Sequence, residues 1–344
     1  RLKCCRPCPP ASPAGAMRSR ASVAALAALL GLPQSAAGSA LSDGALARDV
    51  GDDGSVGLLQ MQADRPDQAL PGRVPGKRDL ALAHVPYNFG HTIENVGMFG
   101  SGPLSAVKMV AYVTSLGGFS TVGRQASWEE ANRLVQENGE VWGHLNPDLQ
   151  VQSEATGCPM YYTPQKYWPA ELARKYFGNK AVFGMLRDPY ERLVAFFRGN
   201  IQGYGGSYPE FIKTCDVNSA VKQMMKDFIE KNDTFAQGCT FVPQAEYFDG
   251  PYGISVPVDN RAFPASMNEV FEEHGYPDFH IRTPDILHVS LCPDVWAADL
   301  DSETRSLVRK VYARDFELLC KHFGYCDQEE NCCIWQVPGM CPPK

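Results

Sequence analysis

The first part of the sequence that could do chemistry runs from His84 to Thr92 and reads His-Val-Pro-Tyr-Asn-Phe-Gly-His-Thr. An apolar run leads into it, so the pattern predicts a strand, a turn containing Gly90 and a helix. The first turn of such a helix presents backbone N–H groups, and its dipole favours an anion. Thr92 adds a hydroxyl. The same unit also occurs with a purely structural role, and the sequence lacks the Gly-Lys-Ser/Thr of a Walker A loop.

A second such segment begins where the apolar run Lys180–Leu186 ends. Arg187 leaves the predicted strand at this point, and Asp188 and Pro189 suit the cap and the first turn of a helix. Arg187 is then free to contact a phosphate with two parallel N–H groups. Arg192, one turn further on, either contacts the phosphate as well or pairs with an acidic neighbour.

These segments need a framework that holds them together. Alternating strand and helix patterns predict an α/β fold in which a parallel sheet is covered by helices on both faces. The predicted strands are Leu80–Val85, Lys180–Leu186 and a short one over Glu140–His144. Three predicted helices start at Thr92, at the capping box Ser127-Trp-Glu-Glu130 and at Tyr190, and the second of them ends at Gly139. Two more span Asn218–Lys231 and Ala265–His274. The last predicted helix runs from a cap at Asp301 to a stop at Gly324. Ligands of such sheets bind at the carboxyl ends of the strands, where we expect both segments.

The overall charge argues against one class of partner. The 344 residues include 32 basic and 39 acidic ones, for a net charge of −7. Five of the basic residues precede residue 41, where no acidic residue occurs, so the remainder is more acidic still. No nucleic-acid-binding surface is therefore expected. A phosphate site must be local, built from a helix N-terminus and one or two arginines.

Changes in composition divide the chain into four regions. Residues 1–40 form a leader, in which the pattern from Met17 predicts a signal peptide or a short signal anchor. Residues 41–78 are rich in Gly, Asp, Pro and Gln and predict a disordered linker or stem. Residues 79–325 carry the predicted domain, and 326–344 form a cysteine-rich tail. No run of about 18 apolar residues occurs, so the short anchor is the one membrane attachment expected.

Cysteine usage and one sequon indicate the secretory pathway. Nine of the twelve cysteines occur from Cys158 onward, and four of these lie in the tail. Their spacing fits no common zinc pattern, so disulfides are favoured over zinc, and no metal-ligand set is predicted. Asn232-Asp-Thr234 is the one N-glycosylation sequon of the chain.

Four segments resemble the Golgi carbohydrate sulfotransferases, and they follow one another in that family's order. Arg187-Asp-Pro-Tyr-Glu-Arg-Leu-Val194 is similar to the family's 3′-phosphate-binding segment, closest to the branch with the heparan and dermatan uronyl 2-O-sulfotransferases. The stretch from His84 to Thr92 stands where that family has its 5′-phosphosulfate loop. Val242-Pro-Gln-Ala-Glu-Tyr247 resembles its Pro-Gln-x-x-Tyr/Phe segment. Val311-Tyr-Ala-Arg-Asp-Phe316, with the Gly-Tyr that ends at Tyr325, resembles its closing helix.

The resemblance implies a P-loop NTPase-like sulfotransferase fold and the cofactor 3′-phosphoadenosine 5′-phosphosulfate (PAPS), with no metal. The implied reaction is in-line transfer of a sulfuryl group to a hydroxyl of a glycan in the Golgi lumen. Gly90, His91 and Thr92 would contact the 5′ end of the cofactor. Arg187 and Arg192 would contact its 3′-phosphate.

The resemblance also implies a base and exposes two departures. A histidine in a Gly-His pair suits the base role in the 2-O branch, and His144 lies at the matching distance, although it alternatively only packs or binds backbone. Tyr87 replaces the family's loop lysine, and Ala195 replaces a serine of the 3′-phosphate helix. Lost charge stabilisation can cost about 10²–10³-fold in rate. A protonated His91, or Lys108, is the candidate substitute for that lysine.

Three alternatives stay open at this stage. The first is a catalytically impaired protein of the same fold that binds nucleotide or glycan, favoured by the missing lysine. The second is an unrelated secreted α/β protein with a chance arginine motif. The third is a kinase of the P-loop superfamily, which the missing Walker lysine disfavours. The chance-motif alternative predicts that Arg187 and Gly90–Thr92 do not follow adjacent parallel strands.

Overall fold

The computed structural model describes residues 77–115, 125–199, 211, 213–287 and 292–326, with residues 334, 336–337 and 340–341 near the C-terminus. The predicted leader, nearly all of the predicted linker and most of the cysteine-rich tail lie outside these residues. The predicted domain is therefore the part of the chain whose fold can be compared with expectation.

The described residues form one three-stranded parallel sheet in the order β1-β2-β3. Its strands are β1 (Leu80–Leu82), β2 (Ala181–Leu186) and β3 (Val256–Asp259). β1 is shorter than predicted, because the N–H of Val85 turns back to donate to the carbonyl of Ala83. All six residues of the central strand β2 are buried, so both of its faces are covered. The prediction of an α/β protein with a parallel sheet is confirmed, with β1 and β2 buried and β3 half-buried.

Helices follow each strand and fill the connections between them. Their bounds are α1 (Gly90–Phe99), α2 (Pro103–Ser115), α3 (Trp128–Leu134), α4 (Ala170–Tyr176), α5 (Pro189–Arg198), α6 (Val217–Lys231), α7 (Ala265–Glu273), α8 (Ser302–Val311) and α9 (Ala313–Phe323). The capping box at Ser127 and Glu130 is confirmed. Asp188 caps α5, accepting from the N–H of Tyr190 at 2.9 Å. Gly324 ends α9 in the left-handed conformation, as its position predicted.

Three local predictions are wrong. Glu140–His144 forms no strand, because Gly143 has a φ of 50° and starts a single turn of 3₁₀ helix. α3 ends at Leu134 rather than at the predicted glycine. The last helix is two helices, since Tyr312 leaves the helical conformation while its hydroxyl donates to the carbonyl of Phe241 at 2.9 Å.

Three hydrophobic cores occur among the described residues, and the smallest packs α2 and α3 against the end of α1. The largest one surrounds the sheet and includes side chains from α1, α4 and α7, together with the buried Trp142 and Trp168. The second joins α5, α6 and α8 through residues such as Phe197, Met224 and Val308. The segments that carry Gly90–Thr92 and Arg187–Arg192 connect directly to strands β1 and β2 of the largest core.

Three disulfides cross-link the described residues, namely Cys158–Cys239, Cys215–Cys292 and Cys320–Cys326. Disulfides form and persist in oxidising compartments, so these pairs fit a secreted or lumenal protein and confirm that disulfides are present. No helix in the described part of the chain is long and apolar enough to cross a membrane.

We expect an N-linked glycan on Asn232. This residue is exposed and ends α6 in the left-handed conformation, so an oligosaccharide has room there. N-glycanase treatment of protein secreted from eukaryotic cells should lower its mass and convert Asn232 to aspartate. Thr234→Ala removes the sequon and should abolish the mass change. Secreted protein with an unmodified Asn232 would contradict this expectation.

Candidate functional site

In the loop after β1, the backbone of Gly90 lies close to the imidazole ring of His84. Tyr87 and Phe89 have φ values of 64° and 60°, so the loop turns sharply before α1. Gly90, the first residue of α1, lies against the ring of His84, and a Cβ there would be 2.3 Å from His84 Nε2. Glycine is thus required at the predicted loop position so that α1 can begin beside this histidine.

A buried carboxylate, Glu94 of α1, organises the site. Its Oε1 accepts from His84 Nδ1 at 2.5 Å and from the backbone N–H of His144 at 2.9 Å. Its Oε2 lies 3.0 Å from His91 Nδ1 and accepts from His144 Nδ1. The Glu94 side chain is fully buried. Three histidines from two distant segments therefore meet on one carboxylate, and we name His84, His91, Glu94 and His144 the His–Glu cluster.

Burial and charge set the ionisation of this cluster. Burial raises the pKa of Glu94, but the facing His144 and His84 together outweigh it and hold the pKa well below its ordinary value. Burial, and then repulsion from His144, lowers the pKa of His91 to about 4. His91 is therefore neutral at pH 7, which removes the positive charge it needs to stand in for the loop lysine. Lys108, the other candidate, is half-buried on α2.

Gly143 lets the chain pass directly over the Glu94 carboxylate. A Cβ on Gly143 would lie 1.6 Å from Glu94 Oε1, and the residue has a positive φ, so no other residue type fits without rearrangement. His144, the next residue, donates both its backbone N–H and its Nδ1–H to Glu94. Its side chain stays 25% exposed. A histidine held through Nδ1 by a carboxylate has Nε2 available as a base.

Two tyrosines flank the cluster. Tyr162 Oη lies 3.0 Å from His91 Nε2, and the Tyr162 ring packs edge-on against His84 with centroids 4.9 Å apart. Tyr161 packs edge-on against Tyr162 at 4.5 Å. The turn that carries both tyrosines follows Cys158, whose disulfide ties it to a distant segment. The cluster thus has one aromatic wall.

The side-chain amide of Gln244 links the loop after β1 to the end of β2. Gln244 Oε1 accepts from Asn88 Nδ2 at 2.6 Å and from the backbone N–H of Arg187 at 3.0 Å. Its Nε2 donates to the Arg187 carbonyl at 2.7 Å and to Asp315 at 3.2 Å. Arg187 Nη1 crosses to the same loop and donates to the Tyr87 carbonyl at 2.8 Å. The two predicted segments therefore follow adjacent parallel strands and touch, contrary to the chance-motif alternative.

Both arginines of the second segment are buried. Arg187 Nη2 donates to Glu191 at 3.2 Å, and its Nε has no hydrogen-bond partner among the described residues. Arg192 instead donates to backbone carbonyls, with Nε bonded to Pro86 at 3.0 Å, Nη1 to Val242 at 2.9 Å and Nη2 to Thr240 at 2.8 Å. This placement favours the structural alternative for Arg192, with carbonyl oxygens rather than acidic neighbours as partners.

The structure brings some of the predicted site residues into contact and gives others different partners. His91 and His144 meet, with their Nδ1 atoms 3.0 Å apart. Gly90 lies against His84 where the loop after β1 ends, and Arg187 donates to the Tyr87 carbonyl of the same loop. Thr92 is buried, and its hydroxyl accepts from the backbone N–H of Leu287 at 2.9 Å, so it also fixes a neighbouring segment.

Sequence reasoning gave no catalytic or binding role to four residues of this site, namely His84, Glu94, Tyr162 and Gln244. Glu94 follows His91 by three positions, so the two side chains share one helix face, and this spacing was the available signal. Gln244 stood out only through the family resemblance. Tyr162 carried no local signal, because its contact with His91 depends on how distant segments pack.

Comparisons with protein-family models, with curated proteins and with solved structures find no match to this chain. The resemblance of the four sequence segments therefore stays a prediction. The function has to follow from the His–Glu cluster and from the contacts of Arg187 and Gln244.

Proposed function

We propose that this protein is a PAPS-dependent sulfotransferase of the P-loop NTPase-like fold, which transfers a sulfuryl group to a glycan hydroxyl in the Golgi lumen. The observation that carries the proposal is the position of His144. The buried Glu94 holds its Nδ1, while the side chain remains partly exposed beside the start of α1. A base is thus prepared next to the helix N-terminus where the resemblance puts the 5′-phosphosulfate.

The proposed reaction assigns one role to His144 and another to Glu94. His144 Nε2 takes the proton of the acceptor hydroxyl. The acceptor oxygen then forms a bond to sulfur, while the bond from sulfur to the bridging oxygen of the 5′-phosphate breaks. The products are the sulfated glycan and 3′-phosphoadenosine 5′-phosphate (PAP). Glu94 keeps the ring oriented and stabilises the imidazolium that forms.

The cofactor would lie along the ends of β1 and β2. α1 begins without a side-chain cap, and the dipole and N–H groups of its first turn suit the 5′-phosphosulfate. Arg187 follows the adjacent strand and has an unpaired, buried Nε, which supports a role as a charged donor to the 3′-phosphate. Its bond to the Tyr87 carbonyl couples that donor to the loop.

A second candidate is a protein of the same fold that binds nucleotide or glycan without turnover. The observation in its favour is that the described loop between β1 and α1 offers no lysine or arginine to the leaving phosphate. No lysine or arginine occurs between Leu80 and Thr92, and His91 is neutral at pH 7. Arg192 is committed to three carbonyl oxygens.

Calorimetric titration with PAP tests the proposed cofactor site, which the second candidate shares only if it binds nucleotide. We expect the folded protein to bind PAP and Arg187→Ala to bind it about 10–150-fold more weakly, because hydrogen bonds to charged groups contribute about 1.5–3 kcal/mol. Arg174→Ala is the matched control. That side chain is 73% exposed on α4, so the variant should bind like the wild type.

Two further measurements separate the outcomes. Near-ultraviolet circular dichroism checks that Arg187→Ala is folded, and Arg187→Lys, which keeps the charge, should lose less affinity. A folded wild type that does not bind PAP contradicts the proposed sulfotransferase and leaves glycan binding as the remaining form of the second candidate. Binding of PAP without transfer of label from radioactive PAPS to any member of a glycan panel would favour the non-catalytic candidate.

A further inference from the structure

Three residues of the His–Glu cluster have the donor atoms and spacing of a metal site. His84, His91 and Glu94 each offer one ligand atom, and these three atoms lie within 4.8 Å of one another. The side chains of His84 and Glu94 are 2% and 0% exposed, and that of His91 is 22% exposed. We propose that these three side chains bind one Zn²⁺ ion.

The donor set decides the choice of metal. Two imidazole nitrogens and one carboxylate oxygen form a common ligand set of three-ligand zinc sites. Imidazole nitrogen favours zinc and later transition metals, whereas magnesium and calcium prefer sites built from oxygen alone. Ligands at about 2.0–2.2 Å from one Zn²⁺ lie at most about 4.4 Å apart, so small side-chain shifts complete the site.

The crowding of nitrogen donors around Glu94 supports the same assignment. His91 Nδ1 and His144 Nδ1 both contact Glu94 Oε2, and the two nitrogens are 3.0 Å apart. At that separation the two nitrogens cannot both carry a proton, and a neutral His91 that donates from Nε2 turns the lone pair of its Nδ1 toward the carboxylate. A cation bound to His91 Nδ1 accepts that lone pair and is attracted by Glu94, while His144 keeps its bond to Glu94.

The surroundings of His91 supply an independent observation. Its Nε2 lies 3.0 Å from Tyr162 Oη, so the ring nitrogen that faces away from Glu94 already has an oxygen partner. Histidines that bind metals usually donate their second ring N–H to an oxygen in this way, which fixes the tautomer. His91 is therefore oriented with Nδ1 toward Glu94 and His84.

Metal analysis by equilibrium dialysis against ZnSO₄ tests the proposal on the full chain. We expect the wild type to bind one more equivalent of Zn²⁺ than His91→Ala or Glu94→Gln. The zinc affinity of this site should fall by more than about 100-fold in both variants, because changes to residues that only contact a metal ligand already lower metal affinity about 10–100-fold. His280→Ala is the matched control, because His280 is an exposed histidine outside the cluster. Equal zinc content in the wild type and both cluster variants would overturn the proposal.

The cysteines of the chain make a second readout necessary. Cobalt substitution distinguishes the ligands, because thiolate ligands add a charge-transfer band that nitrogen and oxygen ligands lack. A cobalt spectrum without that band, lost in His91→Ala, supports the cluster, and it can be recorded even where Glu94→Gln does not fold. A spectrum dominated by the thiolate band would assign the metal to cysteines and overturn the proposal. PAP calorimetry in the presence of a chelator tests the proposed function separately from metal binding.

Discussion

Replacing His144 with alanine is expected to lower the rate of the proposed sulfuryl transfer by about 10²–10⁴-fold, the usual contribution of a positioned general base. The structure gives the reason, because Glu94 fixes His144 through Nδ1 and leaves Nε2 to accept the acceptor's proton. The affinity for PAP should be unchanged, since no part of the proposed cofactor contact involves this ring. Steady-state kinetics with radioactive PAPS, together with PAP calorimetry, measure both quantities.

Two control variants are needed to interpret the kinetics of His144→Ala. His280→Ala removes an exposed histidine outside the cluster and should keep full activity. Glu94→Gln keeps the shape of the positioning residue but removes its charge, so it should lower kcat with little change in the PAP dissociation constant. If His144→Ala turned over at the wild-type rate, the base would have to be another group.

Replacing Arg192 with methionine is expected to lower the free energy of unfolding by about 3–5 kcal/mol, since each unpaired buried acceptor costs about 1–3 kcal/mol. Arg192 is 4% exposed, and its three guanidinium nitrogens donate to three backbone carbonyls. Those carbonyls belong to Pro86 in the loop after β1 and to Thr240 and Val242 before the Gln244 turn. The variant should therefore loosen both segments. Chemical denaturation monitored by tryptophan fluorescence measures the change.

Arg192→Met also distinguishes a structural role of Arg192 from a role in binding the 3′-phosphate. If Arg192 bound the 3′-phosphate, as the family resemblance implies, Arg192→Met would weaken PAP binding while stability stayed near the wild-type value. Arg174→Met, an exposed arginine on a helix surface, should change neither quantity. Stability unchanged to within about 0.5 kcal/mol in Arg192→Met would show that the carbonyl contacts matter little.

The parts of the fold that could be predicted were those specified locally. The apolar run before Arg187 is buried on both faces, which is why it could be recognised as a strand from composition alone. Asp188 and Pro189 marked the start of α5 because capping depends on residues next to one another. β3 was not predicted, since Val256–Asp259 is short and contains a proline in its middle. Its assignment depends on pairing with β2.

The site was harder to predict because its central residue is a carboxylate inside a helix. Glu94 lies among apolar residues of α1, and its burial is tolerable only because His84 and His144 face it from outside the helix. His84 is ten residues away and His144 is fifty, so no sequence window contains the whole set. The resemblance to sulfotransferases pointed to His91 and His144 individually, but not to the carboxylate that joins them.

The disulfide between Cys158 and Cys239 has a consequence for when the site becomes complete. It closes a loop across a sequence separation of 81 residues, and it anchors the turn that presents Tyr161 and Tyr162 to the histidines. Before oxidation, that turn has a much larger conformational ensemble to explore. The newly made chain would therefore acquire its aromatic wall only after oxidation of these two thiols. Completion of the His–Glu cluster and its tyrosines would then be coupled to entry of the chain into an oxidising compartment.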